Sequence, residues 1–202
     1  MRTLVIDSAT EACSAALFED RALLAGSFAV LGRGHAEHLV PMIAKLPGKG
    51  RAERVVVSLG PGSFTGVRIG LAAARALGLA WQADVLGYPT LALVAAMARR
   101  TRPGPITVCM TGGHGEWFVQ DFSADGNAEA AHASRPPSQA SLGGHKLVAG
   151  SQAHSLVDQR GHGEALDLLP DARLFPLLPE SLLTTSLAPL YGRPPDARLP
   201  TA

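Results

Sequence analysis

The chain has 202 residues, 47% hydrophobic and 17% charged, a balance that builds a core and excludes an extended disordered chain. Net charge is +1, with 11 Lys/Arg against 7 Asp/Glu in residues 1–100 and 7 against 10 in residues 101–202. The basic half lacks the Lys/Arg stripe of a dedicated nucleic-acid module, so any RNA contact is expected to be shared with a partner. Cys13 and Cys109 fall in apolar segments and read as small core residues in a reducing compartment, not as a disulfide framework. Met1–Leu17 holds Asp7 and Glu11 within its apolar stretch and does not read as a signal peptide. No run reaches ~18 apolar residues, so a cytoplasmic protein is expected.

Thr3-Leu4-Val5-Ile6 is a short apolar run ending in Asp7, a strand followed by a turn. Ala12–Phe18 reads as a second strand, Glu19-Asp20-Arg21 as its turn, and Leu23–Val30 as a third strand, broken by Gly32 and Gly34. Leu39, Met42, Ile43 and Leu46 then follow the spacing of one helix face, with Pro41 predicting a late start or a kink and Pro47-Gly48 the end. Arg54–Leu59 is a β-branched run predicting a buried strand, and Gly60-Pro61-Gly62 a tight turn. A helix over Gly66–Trp81, a strand over Val85–Tyr88 and a helix over Leu91–Arg100 capped by Thr90 complete a βββαβαβα order. That order predicts an α/β lobe with a mixed sheet, as in one lobe of the actin, sugar-kinase and Hsp70 ATPase superfamily.

The second half carries weaker signals. Ile106–Met110 and Trp117–Phe122 read as a hairpin around Gly112-Gly113-His114-Gly115, with a turn at Asp125-Gly126. Arg135-Pro136-Pro137-Ser138 reads as loop, Lys146–Ala149 as a short strand and Leu182–Leu190 as a last helix. Charge and prolines cluster near Arg100–Pro105, placing a boundary between an N-terminal lobe, 1–101, and a smaller lobe, 102–202, with no internal sequence repeat.

The most specific segment is Ser58-Leu59-Gly60-Pro61-Gly62-Ser63-Phe64-Thr65-Gly66-Val67-Arg68-Ile69-Gly70-Leu71. It is not a Walker loop, since no Lys follows Gly66, and it is not a dinucleotide fingerprint, since Thr65 stands where the third glycine belongs. The segment resembles the Gly-Pro-Gly-Ser-Phe-Thr-Gly turn and Arg-Ile-Gly-Leu helix of the TsaB (YeaZ) family. Ile6–Ser14, His35–Ile43 and Gly115–Gln120 resemble it as well, and Pro189–Pro194 more loosely. The resemblance is dense over residues 1–100 and patchy beyond.

The resemblance implies a two-lobed actin-like fold with a reduced second lobe, and a catalytically degenerate relative of TsaD. In the family picture TsaD carries the metal and transfers threonylcarbamoyl to the adenosine beside the anticodon. The implied partners are a TsaD homologue, bound through N-lobe helices, a TsaE ATPase homologue, and tRNA through the complex; a homodimer is the alternative pairing. Asp7, with Ser8 and Thr10, stands at the phosphate-loop position of active superfamily members. The second acid expected after Ile106–Met110 is replaced by Thr111-Gly112-Gly113, where the family often carries Asp-Ala-Arg. Mg²⁺-assisted phosphoryl transfer needs several oxygens and cannot rest on Asp7 alone, so the chain reads as a pseudoenzyme with no catalytic residue or cofactor of its own. Nucleotide at a subunit interface stays open.

His35 and His38 lack the spacing of a His-Glu-x-x-His helix, and no metal site is expected. Gly66, Gly70, Ala74 and Gly78 recur every fourth residue and form a smooth ridge. Such a ridge suits close packing on the chain's own sheet or on a partner helix. With the resemblance it is assigned to a partner interface, together with Leu39, Met42, Ile43 and Leu46. The alternative readings are a small-molecule kinase or ATPase of the same superfamily, which would need an acid at Thr111, and a peptidase-like homodimer, for which no catalytic motif is present.

Overall fold

The computed structural model describes residues 1–192. Of the looser resemblance Pro189–Pro194, Arg193 and Pro194 therefore lie outside the described residues. Strands β1 (Arg2–Asp7), β2 (Ala12–Glu19) and β3 (Ala22–Val30) form an antiparallel meander. Helix α1 (His35–Ala44) leads to β4 (Arg54–Ser58), α2 (Phe64–Trp81), β5 (Asp84–Tyr88) and α3 (Thr90–Thr101). The first sheet has the order β3-β2-β1-β4-β5, with β4 and β5 parallel to β1. β1 sits at its centre with both faces covered, which is why it reads as an unbroken apolar run rather than an alternation.

The second half builds β6 (Ile106–Thr111), β7 (Trp117–Phe122), β8 (Ala133–Arg135), a one-turn helix α4 (Pro137–Ala140), β9 (Leu147–Ala149), α5 (Ala153–Arg160) and β10 (Glu164–Leu166). Its sheet order is β8-β7-β6-β9-β10, again an antiparallel meander on one side of the first strand and two strands parallel to it on the other. The second sheet thus repeats the first in shortened form, although the sequence shows no repeat. This duplicated order is the two-lobed actin-like α/β fold.

Three apolar layers hold it together. Leu4, Ile6, Val55 and Val57 on one face of the first sheet meet α1 and α2. Val5, Phe18, Val56 and Tyr88 on the other face meet α3, whose far side meets Ile106, Val108 and Met110 of the second sheet. α3 is consequently buried almost all round, as its Leu91–Ala98 composition requires. Val148 and Cys109 meet α4 and α5 on the outside of the second sheet.

Three local expectations are corrected. Pro41 lies inside α1, which runs through it; the missing amide belongs to an exposed position. Thr90 is the first residue of α3, not its cap, and its hydroxyl bonds Ser58 Oγ at 2.5 Å. Residues 183–190 are not a helix. They run back across the first sheet as a strap: Thr184 exchanges two hydrogen bonds with Gly87 (2.8 and 3.0 Å), and Leu190 N–H donates to Leu59 O (2.8 Å). Glu180 anchors the strap by ion pairs to Arg21 (3.3 Å) and Arg54 (3.2 Å).

Candidate functional site: the interlobe cleft and the outer helix face

The glycine-rich segment positions two chain turns against each other. Gly60, at φ +88, turns the chain from β4 into α2. Ser63 caps α2, its Oγ accepting from Gly66 N–H at 3.2 Å. A side chain at Gly62 would collide with Ala9 O and one at Gly66 with Ser8 O, so these glycines let the turn after β1 lie directly on the start of α2. Ser63 N–H donates to Ala9 O (2.6 Å), and Ser8 Oγ donates to Gly66 O (2.9 Å).

Asp7, Ser8 and Thr10, read from the sequence as a phosphate-loop position, are accordingly occupied inside the protein. Asp7 is buried; its Oδ1 accepts from Ala9 N–H (3.0 Å) and its Oδ2 from the Tyr88 hydroxyl (2.7 Å). Burial pushes the Asp7 carboxyl up to about 6, against the opposing pull of the Tyr88 and Ala9 hydrogen bonds. Burial also raises the Tyr88 phenol well above its usual value. Thr10 Oγ1 accepts from Ala12 N–H (3.2 Å) and is the one member of the trio that borders the cleft. In the second lobe Thr111 ends β6 in a neutral network, its N–H donating to Ser151 Oγ (3.1 Å) and its hydroxyl accepting from Gln152 (3.0 Å).

Between the lobes lies a cleft of about 900 Å³, bounded by Glu11, the start of α2, the Gly112-Gly113-His114 turn, Phe118 and the end of the strap. At its mouth the Arg68 guanidinium stacks 3.3 Å from the Phe64 ring centre and donates to the Tyr191 hydroxyl at 2.6 Å. Arg68 is thus held by its own chain. Sequence reading passes over this cleft because its walls come from segments scattered between Thr10 and Gly192.

His35 is buried, its Nε2 within hydrogen-bond distance of Thr10 O (2.8 Å) and Ala12 O (3.2 Å), where it clamps the β1–β2 connection. His38 points outward on the same helix, so the two do not converge. Among the described residues no group of three or more His, Cys, Asp and Glu side chains is placed to hold a metal. Both cysteines are free and buried.

The helix stripes face inward. Leu39, Met42, Ile43 and Leu46 are buried in the core beneath α1. Gly66, Gly70, Ala74 and Gly78 lie against the sheet and the turn after β1: a side chain at Gly70 would meet Ser8 Oγ at 2.6 Å and Val57 at 3.4 Å, and one at Gly78 would collide with Val85. The assignment of these eight residues to a partner surface is therefore corrected; the small residues let α2 settle closely on its own sheet. The outward stripe is a different set. Val40, Pro41 and Ala44 on α1 and Ala72, Ala76 and Leu79 on α2 are exposed, Val40 at 61% and Leu79 at 85%, on two helices packed side by side. Phe64 adds a ring 67% exposed at the start of α2.

A family model described as TsaD, tRNA N6-adenosine threonylcarbamoyltransferase, matches residues 29–136, more than half of the chain. The tRNA threonylcarbamoyladenosine biosynthesis protein TsaB of Escherichia coli (strain K12) is 35% identical over 133 residues, 63% of this chain and 57% of that protein. The structure of YeaZ from Pseudomonas aeruginosa superposes with a TM-score of 0.74 at 28% identity, covering 87% of this chain and 89% of that one. The chain belongs to the TsaB (YeaZ) family. An uncharacterized protein of Mycobacterium leprae is 32% identical over 209 residues, 98% of this chain but 56% of its own. The chain thus spans less than two thirds of the length of these two curated relatives. Within the family frame, the segment from Ser58 to Leu71 that carries the resemblance is also the one that seats α2 on the turn after β1. No helix among the described residues is long and apolar enough to cross a membrane.

Proposed function

We propose that this TsaB-family chain is a non-catalytic subunit in the biosynthesis of threonylcarbamoyladenosine in tRNA, acting in the cytoplasm. It binds a TsaD homologue, with a TsaE homologue as further partner, and meets tRNA only through that complex. The observation that carries the reading is the placement of Asp7. The one carboxylate at the phosphate-loop position is turned into the core and held by Tyr88 and Ala9, and its second-lobe counterpart is Thr111. A chain so built holds a shape and presents a surface. That surface is the outward stripe of α1 and α2, centred on Val40 and Leu79, because exposed apolar side chains on adjacent helices are the material of a helix-to-helix interface.

The test is co-purification with the TsaD homologue of the same cell. Val40→Asp with Leu79→Asp is expected to weaken binding at least tenfold, since each change buries a charge against apolar partner atoms. The melting temperature should stay within about 2 °C, because both side chains are exposed and surface changes of this kind cost little. Cells that depend on this variant should lose threonylcarbamoyladenosine from their tRNA. Unchanged binding, or normal modification despite lost binding, would refute the reading.

A further inference from the structure

The interlobe cleft carries two charges that the protein does not neutralise. Glu11 and Arg68 both border it and are half-buried, and among the described residues neither forms an ion pair. The Glu11 carboxylate accepts no hydrogen bond among those residues either; only its backbone oxygen is used, by the Leu31 and Gly32 amides at 2.9 Å. Arg68 is held by neutral groups alone, donating to Phe64 O (3.0 Å) and the Tyr191 hydroxyl (2.6 Å). A charge at an apolar wall without a counter-charge is unfavourable, and a ligand that brings the opposite charge relieves it. The same wall holds two hydroxyls with a hydrogen to give. Thr10 Oγ1 accepts from Ala12 N–H (3.2 Å) and Ser63 Oγ from Gly66 N–H (3.2 Å), and among the described residues neither donates. Because Ser63 N–H bonds Ala9 O (2.6 Å), the Thr10-Glu11 turn and the start of α2 that carries Arg68 are neighbours. Val67, Phe118 and Leu190 supply apolar surface beside these groups.

We propose that this cleft binds a short apolar peptide with both termini free. The ligand's ammonium meets the Glu11 carboxylate, and its carboxylate meets the remaining N–H groups of Arg68. The Thr10 and Ser63 hydroxyls donate to its peptide carbonyls, and its side chains lie on Val67, Phe118 and Leu190. Size selects a peptide over a single amino acid, because a cleft of about 900 Å³ suits a ligand of about three residues. Charge selects a zwitterion. A peptide blocked at either end leaves one of the two charges unmet, and a polyanion such as ATP sets its phosphates against Glu11. Arg68 is already fixed by the Phe64 ring and Tyr191, so little order is lost when it takes up a carboxylate. The site includes neither Val40 nor Leu79, so it stands independently of the function proposed above.

The test is titration calorimetry of the full chain, near neutral pH, with the tripeptide Leu-Ala-Leu. Binding with a Kd between about 10 μM and about 1 mM is expected. Acetylating the peptide's N-terminus or amidating its C-terminus should each weaken binding about fivefold or more. Glu11→Gln should bind the free and acetylated peptides alike and still prefer the free carboxylate; Arg68→Gln should show the reverse. A variant that merely loosens the fold does not produce this crossed pattern, and the blocked peptides on the wild-type chain need no variant at all. Peptide-dependent amide shifts in the NMR spectrum should fall at Glu11 and at Gly112–His114, on the two sides of the cleft. The proposal would be overturned by no binding at about 5 mM peptide, or by blocked peptides as tight as the free one. Shifts confined to other parts of the chain, or ATP binding in the cleft more tightly than the peptide, would overturn it too.

Discussion

Buried at the end of β1, the Asp7 carboxyl keeps its proton up to about pH 6, where an unfolded aspartate would lose it near 3.8. The folded state therefore binds more protons than the unfolded state across that window, and stability falls as pH rises through it. The difference corresponds to about 3 kcal/mol at most, present in full below pH 4 and gone above about pH 6. Asp7→Asn keeps an acceptor for Tyr88 or Ala9 and removes the titration. Urea melts should show that it flattens the decline between pH 4 and 7, with the variant gaining on wild type at pH 8. A parallel decline in both proteins would show that other groups carry it. The sequence places Asp7 at the end of a strand but gives no sign of Tyr88, 81 residues away, which takes up its second oxygen.

At the scale of the element, α2 shows why one helix has two legible faces and no legible direction. Its Gly66, Gly70, Ala74 and Gly78 stripe and its Ala72, Ala76 and Leu79 stripe are both small or apolar, so composition alone does not say which lies on the sheet. The deciding atoms belong to other segments: Ser8, Val57 and Val85 fill the space where side chains on the first stripe would stand. Gly70→Leu is consequently expected to lower stability by about 1–3 kcal/mol or more through overpacking. Gly70→Ala, with one methyl against Ser8 Oγ, should cost less. Thermal melts of the two variants check the order, and a Gly70→Leu chain as stable as wild type would show that the stripe is not buried. The meander β1–β3 and the β4 run were readable as apolar runs bounded by turn residues, and α1 by the spacing of one helix face. β8 and β10 have three residues each, and no period fits in three, whereas β9, equally short, falls within the Lys146–Ala149 run read as a strand.

For the whole molecule, the repeated sheet order is a property of connectivity that residue identities do not advertise, and the strap is its counterpart. Leu182, Leu183, Leu187 and Leu190 have spacings that suit a helix, yet their segment is drawn out by Gly87, Leu59 and the Arg75 guanidinium, which donates to Leu187 O at 3.0 Å. Thr184→Pro removes the amide that bonds Gly87 O and should cost about 1–2 kcal/mol, which is about 2–8 °C in Tm for a chain of this size. An unchanged Tm would mean that the strap contributes nothing at that point. The strap also imposes an order in time. On the ribosome the first sheet is complete at Tyr88, but Phe175, which packs on both Phe18 and Tyr88, and the Thr184 bridge to Gly87 emerge only after the whole second lobe. At about 5–20 residues per second the patch around Phe18 and Tyr88 that α3 leaves to Phe175 waits about 5–20 seconds uncovered. During synthesis, this interval is when the chain has most need of a chaperone.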